Sequence, residues 1–326
     1  MMYVGVDVGA TNIRAVVGDG TATIHGSAKV PTPKGPSGVA VTEALLDAVR
    51  DACAAADVDP TTVEAAGVAS IGPLDLAAGA VDNPANLPDA VGRIPLTGPL
   101  GELLDTDEVY LHNDADAGVI GERFHAERNP DDMVYLTISS GIGAGVAVDG
   151  HVLAGWDGNA GEVGHTPLDP AGEMTCGCGQ DGHWEAYCSG ENIPRYARTL
   201  YEGDQDDGET EWTDTAVPVE ADTFSAADVF AHAGEDAFAD HVVDRLARWN
   251  AQGVATLVQA YAPLVITIGG AVALENPELV VDPIRDRVEE LAFGNVPEVR
   301  TTDLGDEVVV EGALASAISG GTGERA

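Results

Sequence analysis

The chain has 326 residues, 44% of them hydrophobic, with 55 acidic against 15 basic residues and a formal net charge of −40. That length and apolar content describe a folded globular protein of two domains rather than a disordered acidic tail, and a field this negative repels nucleic acid and anionic membrane at ordinary salt. No run of about 18 apolar residues is present to span a bilayer, and the opening MMYVGVDVG lacks the basic and small-residue marks of a secretory leader, so the cytoplasm is the expected compartment.

Residues 3–8 read as a short strand ending at Gly9, and 13–17 and 22–30 continue as strands around a hairpin-type turn at Gly18-Asp19-Gly20. Apolar spacing predicts a helix over 37–56, with Ser37 as its start, and a buried strand over 63–71. Residues 74–90, rich in Pro and Asn, read as loop. A strand over 109–114 runs into polar residues, and a helix follows over 115–128. Residues 133–153 read strand, glycine turn, strand, turn, strand. Beyond a Gly-rich knot at 160–186, a helix is expected over 189–200 and a solvated acidic insertion over 201–222. A long helix over 236–260, a strand with a glycine turn at 263–273 and a short helix at 311–319 complete the chain. VGVDVGATNIRAVV and LTISSGIGAGVAV echo one another, each a strand, a glycine turn and a strand, so two similar α/β halves with a cleft between them are inferred.

Three strand-end turns carry glycines. In DVGATN, Asp7 precedes a turn through Gly9, Ala10, Thr11 and Asn12. The N–H groups of such a turn can cradle phosphate, and a carboxylate beside it can hold hydrated Mg²⁺; an ordinary hairpin is the competing account. SSGIGAGV places Ser139, Ser140, Gly141 and Gly143 in a turn that lacks a Walker ending and leads into a strand rather than a helix. ITIGGAVA places Gly269 and Gly270 after an apolar strand. Three such loops point to a nucleotide. HND ends a strand at Asn113 and Asp114, where a carboxylate can accept a hydroxyl proton or simply cap the next helix.

The knot AGEVGHTPLDPAGEMTCGCGQDGHWEA holds His165, Cys176, Cys178 and His183, with Glu162 and Glu185 alongside. A Cys-x-Cys disulfide is badly strained. Thiolates with imidazoles favour a closed, structural Zn²⁺ site, the alternative being glycine-turn thiols without metal. Cys53, in an Ala-rich helical pattern, and Cys188 read as packed thiols. The acidic charge runs along the whole chain, and the only lysines are Lys29 and Lys34. A halophile's surface, screened over about 3 Å in molar salt, accounts for this better than a merely acidic mesophilic one.

From DVGATN through PANLP, HND, SSGIGAGV, AGEVGH and CGCGQDGHWE to IGGAVA, the chain resembles the ROK (repressor, open reading frame, kinase) family over nearly its full length. The resemblance implies an α/β, two-domain actin/hexokinase-like (ribonuclease H-like) fold, with ATP and a sugar in the cleft. It divides the chain into residues 1–113 plus about 311–326, and 114–310. It makes Asp114 the catalytic base and Asn86, Asn113, Asp114, Glu162, His165 and Glu185 the sugar-binding set. Asp7, Gly9, Ala10, Thr11, Asn12 and the 139–145 loop become phosphate-binding turns, and Gly269 and Gly270 the adenosine side. His183 stands where the family carries a third zinc cysteine, so the implied ligand set is Cys₂His₂, with Cys188 as an alternative fourth ligand. The implied activity is an ATP- and Mg²⁺-dependent hexose kinase, glucokinase first, with another hexose or N-acetylhexosamine, or polyphosphate as donor, left open. A sugar-sensing repressor is the other branch, but the first glycine turn begins at residue 7, leaving no room before it for a DNA-binding helix-turn-helix. A homodimer or homotetramer is expected by family analogy.

Overall fold

A computed structural model describes residues 1–84, 86–156, 158–206, 212 and 214–325. The first half of the chain forms β1 (Met2–Val8), β2 (Asn12–Asp19), β3 (Ile24–Pro31), α1 (Gly38–Ala55), β4 (Val63–Ser70), β5 (Leu74–Asp75), β6 (Ala80–Val81), β7 (Ile94–Pro95), α2 (Thr97–Leu104), β8 (Val109–Asn113) and α3 (Asp114–His125). The second half forms β9 (Met133–Ile138), β10 (Ile142–Val148), β11 (His151–Val152), α4 (Glu185–Cys188), α5 (Ile193–Asp206), α6 (Ala226–His232), α7 (Ala237–Tyr261), β12 (Val265–Gly269), α8 (Ala271–Glu275), α9 (Pro277–Leu291), β13 (Glu298–Thr301) and α10 (Val308–Ser319). The two main sheets run β3-β2-β1-β4-β8 and β11-β10-β9-β12-β13, so the echo in the sequence is an echo in topology. Among the described residues, no helix is long and apolar enough to cross a membrane.

One compact unit comprises Met1–Tyr135, Gly145–Gly161 and Leu304–Ala326. Its central strands β1 and β4 read as near-continuous apolar runs because both faces of the sheet are covered there. On one face Val4, Val6, Val8, Ala66 and Val68 join Leu45 and Val49 of α1 and Leu100 of α2 in a single core. On the other, Ala69 meets Ala117 of α3 and Ala313 of α10, small residues that let both helices lie close to the sheet. α3 therefore belongs with this unit and packs on α10, although the sequence division assigned residues from 114 onward to the other domain. β1, β4 and β8 are parallel, with Asp7 beside Ala69 and Ala69 beside His112, so Asp7, Ser70 and Asn113 gather at their carboxyl ends. Ligands in open α/β sheets sit off that edge. The expected loop over 74–90 instead contributes β5 and β6, which pair with each other and with β7. Arg93 ties this segment together through Asp75 at 2.8 Å and Asp82 at 2.9 Å.

The other unit comprises Leu136–Ala144 and Glu162–Asp303, so the boundary falls within β9 and β10. β12 and β13 are parallel, and α7 packs along α9. The fully buried Trp184 donates its indole N–H to Asn250 of α7 at 2.9 Å, anchoring the end of the knot. The acidic segment departs from its expected form. α5 continues to Asp206, and Val217 and Val219 are buried, with Arg198 donating to the Val219 and Ala221 carbonyls at 3.0 Å each. Residues 207–211 and 213 of the expected insertion lie outside the described residues.

Candidate active site

At the carboxyl edge of the first sheet, β1 passes into β2 through a tight turn closed by the Gly9 N–H on the Asn12 carbonyl at 3.0 Å. Three carbonyls of this turn are bonded by Thr32 and Lys34. Thr32 donates its hydroxyl to Gly9 O at 2.7 Å and its N–H to Thr11 O at 2.9 Å, and Lys34 Nζ donates to Ala10 O. Asp7 lies across the strand pair from Arg14, and Arg14 across the next pair from Lys29. Both lysines of the chain thus stand at this turn or in the row beside it. Thr32, Lys34 and Arg14 escaped the sequence analysis; the confinement of both lysines to residues 29–34 was the signal that could have found them.

Asp114 opens α3, but Asn113 is the cap: its side-chain oxygen accepts the Asp116 N–H at 2.6 Å. Capping therefore does not explain Asp114. Its Oδ1 accepts the Ala115 N–H at 2.9 Å, and although the residue is open to solvent, the protein crowded around it raises its pKa by desolvation. Asp7 is raised to about 6, first by burial and then by Asp114 and Glu307, against the lowering influence of Arg14 and Lys29. Burial lowers His112 to about 4, so at neutral pH it is an uncharged ring hydrogen-bonded to the Ser316 hydroxyl at 2.7 Å. Asn86 lies on an exposed turn of the 74–95 segment.

In the second unit, Ser139, Ser140 and Gly141 form the turn between β9 and β10, and Gly143 lies in the opening of β10. Gly270 has φ +86°, and a Cβ there would stand 2.5 Å from Ile138 O, so the 269–270 turn lies against the strand end that leads into Ser139. Only glycine allows that combination of backbone and approach.

The knot is a small hairpin, bridged between Pro167 and His183 and between Thr175 and Asp181. Its tip is tightened by the Cys176 N–H on Gln180 O at 2.8 Å and the Gly179 N–H on Cys176 O at 2.9 Å. The ligating atoms of His165, Cys176, Cys178 and His183 all lie within 4.8 Å of one another. Cys176 Sγ is 3.6 Å from His165 Nδ1, and Cys178 Sγ is 3.3 Å from His183 Nδ1. A tetrahedral Zn²⁺ with bonds of about 2.3 Å to sulfur and 2.05 Å to nitrogen holds such pairs about 3.6 Å apart, so the donor set and its spacing fit that ion. His165 turns its other nitrogen, Nε2, to Glu162 at 3.8 Å. Cys188 lies outside the cluster: it is buried and donates to Leu246 O at 3.7 Å, with burial raising its pKa far out of the thiolate range. Cys53 is likewise a buried thiol.

Behind the knot, Asp169 accepts the N–H groups of Ala171 at 2.9 Å and Glu173 at 2.8 Å and the hydroxyl of Tyr187 at 2.5 Å. Burial alone would raise this carboxyl, but the hydrogen bonds outweigh it and its pKa is lowered. The same Tyr187 oxygen accepts the Met174 N–H at 3.1 Å. α4, which bears Glu185, is thereby latched to the segment leading into Cys176. Glu185 Oε1 is 3.8 Å from Cys176 Sγ, and Oε2 accepts the Ile142 N–H at 2.9 Å.

Paired five-stranded sheets of matching order, strand-end carboxylates and glycine turns define an actin/hexokinase-like (ribonuclease H-like) α/β fold. The ROK family profile matches residues 3–319, and the chain belongs to the ROK family. The glucokinase of Pyrobaculum calidifontis is 36% identical over 97% of this chain and 94% of its own length. A ROK hexokinase from Thermus thermophilus superposes with a TM-score of 0.77 at 33% identity, covering 97% of this chain and 98% of that one. A ROK family glucokinase from Streptomyces griseus, solved in complex with glucose and AMPPNP, superposes with a TM-score of 0.72 at 30% identity, covering 97% and 99%.

Proposed function

We propose that this chain is an ATP-dependent hexose kinase that transfers the γ-phosphoryl group to the 6-hydroxyl of glucose. The observation that carries the proposal is end-to-end likeness to glucokinases, one of them solved with glucose and a nucleotide analogue. In this reaction Asp114 takes the proton from the 6-hydroxyl as its oxygen bonds to the γ-phosphorus and the bond to the ADP oxygen breaks. Its raised pKa makes it a better base than an ordinary carboxylate. Phosphoryl transfer has a loose transition state, so positioning and electrostatics supply most of the catalysis.

Asn86, Asn113, Glu162, His165 and Glu185 hold the sugar hydroxyls; carboxylates suit this work because an ionised oxygen accepts hydroxyl hydrogen bonds strongly. The Gly9–Asn12 turn and residues 139–143 hold phosphates through backbone N–H groups other than those of Gly9, Ser139 and Ile142, which are bonded within the fold, with Gly269 and Gly270 on the adenosine side. Asp7, whose charge is opposed by Asp114 and Glu307, is suited to Mg²⁺, which when bound offsets charge on the phosphates. His165, Cys176, Cys178 and His183 would hold a structural Zn²⁺, fixing the ring of His165 so that Nε2 faces a sugar hydroxyl.

The test is ADP release from ATP and Mg²⁺ in molar KCl across a panel of hexoses and N-acetylhexosamines. Turnover with glucose supports the assignment. Turnover centred on another sugar keeps the mechanism and moves the substrate. A protein that holds zinc and binds sugar yet turns over none of the panel is a sensor, and the kinase proposal fails.

A further inference from the structure

We infer that Glu185 is a positioning residue that braces the 139–142 turn, so that nucleotide binding depends on a side chain assigned above to the sugar. The inference rests on the kinase proposal, which makes that turn a phosphate loop.

The turn is fastened by the segment that follows the last knot ligand. Glu185 accepts the Ile142 N–H at 2.9 Å, and the Gly190 N–H donates to Ser139 O at 2.7 Å. Gly141 lies directly on the carboxylate: a Cβ there would stand 2.9 Å from Glu185 Oε2. The other carboxylate oxygen faces Cys176. Glu185 itself is two residues past His183 on α4, whose Tyr187 is latched to Asp169. The knot thus sets α4, α4 sets Glu185, and Glu185 sets the turn.

A glycine-containing turn has backbone freedom to lose when it closes on phosphate. A bond that orders it beforehand lowers that cost and tightens binding. Charge alone predicts the opposite sign. A carboxylate beside a phosphate loop repels the nucleotide, so deleting it should strengthen nucleotide binding. The sign of the change therefore separates a brace from a bystander.

The experiment titrates AMPPNP with Mg²⁺ into the full chain in molar KCl, without sugar, by calorimetry. Glu185→Ala and Glu185→Asp, the second keeping the charge but falling short of Ile142, should each weaken nucleotide binding roughly tenfold or more, as expected for losing a hydrogen bond to a charged group. Glu185→Gln keeps an amide oxygen that can accept the Ile142 N–H, so its nucleotide affinity should stay within about threefold of wild type. Glucose affinity, titrated separately, should fall in all three. Amide exchange at Ile142 should quicken in the Ala and Asp variants and not in Gln. If Glu185→Ala does not fold, Glu185→Asp carries the test. Unchanged or tighter nucleotide binding in the Ala or Asp variant, with glucose binding weakened, overturns the brace and leaves the kinase proposal standing. A wild-type protein that binds no nucleotide overturns both.

Discussion

Asp114 raises the pKa of Asp7 across the carboxyl edge of the first sheet. With burial as the larger cause, Asp7 reaches about 6 against an ordinary value of 3.8. An acid raised in this way binds more protons in the folded state than in the unfolded state between those two values. Stability therefore falls as pH rises from about 4 to 6, and the cost is full above that window. Asp7→Asn should be more stable than wild type at pH 7.5 by about 1–2 kcal/mol and no more stable at pH 3.5, while losing most turnover. Denaturant melts of both proteins at the two pH values check this; a variant less stable at pH 7.5 would show that Arg14 and Lys29 already neutralise the site.

Asp114 carries a sharper expectation. Removing a general base costs typically 10²–10⁴-fold in rate, so Asp114→Asn should lose about that much kcat while glucose affinity changes by less than roughly tenfold. Stopped-time ADP assays paired with glucose titration separate the two quantities. Full turnover in the variant sinks the role. Because desolvation by the surrounding protein raises the pKa of Asp114, the acid limb of kcat/KM should lie above the usual carboxylate range.

The candidate residues named from the sequence are those that lie close together along the chain. Asp7 and its turn and Asn113 with Asp114 each occupy a few consecutive residues, and the candidate ligands from His165 to His183 fall within one short Gly-rich segment. What escaped depends on distant partners. Thr32 reaches the carbonyl of Gly9 23 residues back, and Glu185 reaches Ile142 43 residues back. Neither pairing leaves a periodic trace. The choice between Asp114 as cap and as base was open because both residues of Asn113-Asp114 can cap a helix; the structure puts that bond on Asn113. α9 went unread because Pro283 interrupts its pattern, yet it sits in the second turn and the helix continues through it. The solvated reading of residues 201–222 followed their charge and overlooked Val217 and Val219, which pack inward.

The latch behind the knot can be tested without touching a metal ligand. Tyr187→Phe removes a hydroxyl that both donates to Asp169 and accepts from the Met174 N–H. Tyr187 is fully buried and its partners nearly so, so two polar groups lose a partner and the cost should be roughly 2–4 kcal/mol. Denaturant melts measure it, and a loss below about 0.5 kcal/mol would mean that water takes over both bonds.

The knot itself predicts a metal content. Protein purified without chelator should hold about one zinc per chain by elemental analysis. His183→Ala should lose most of it and weaken glucose binding, whereas His183→Cys should keep it, since thiolate and imidazole both suit tetrahedral zinc. Zinc retained by the Ala variant would show that His183 is a neighbour rather than a ligand.

With 55 acidic against 15 basic residues in the chain, stability should depend on salt. Lowering KCl from 1 M to 0.1 M lengthens the screening distance from about 3 to 10 Å, so carboxylates that scarcely interact at high salt begin to repel across the surface. Among the described residues the ion pairs are mostly exposed, such as Arg50 with Asp47 at 2.7 Å, and contribute little against that repulsion. The melting temperature should therefore fall steeply as KCl is removed. Replacing KCl by tetramethylammonium chloride at equal ionic strength should restore most of the loss if screening is the cause. If only potassium restores it, the carboxylates bind the cation specifically, and hydration of the surface by bound ions rather than relief of repulsion holds the fold at high salt.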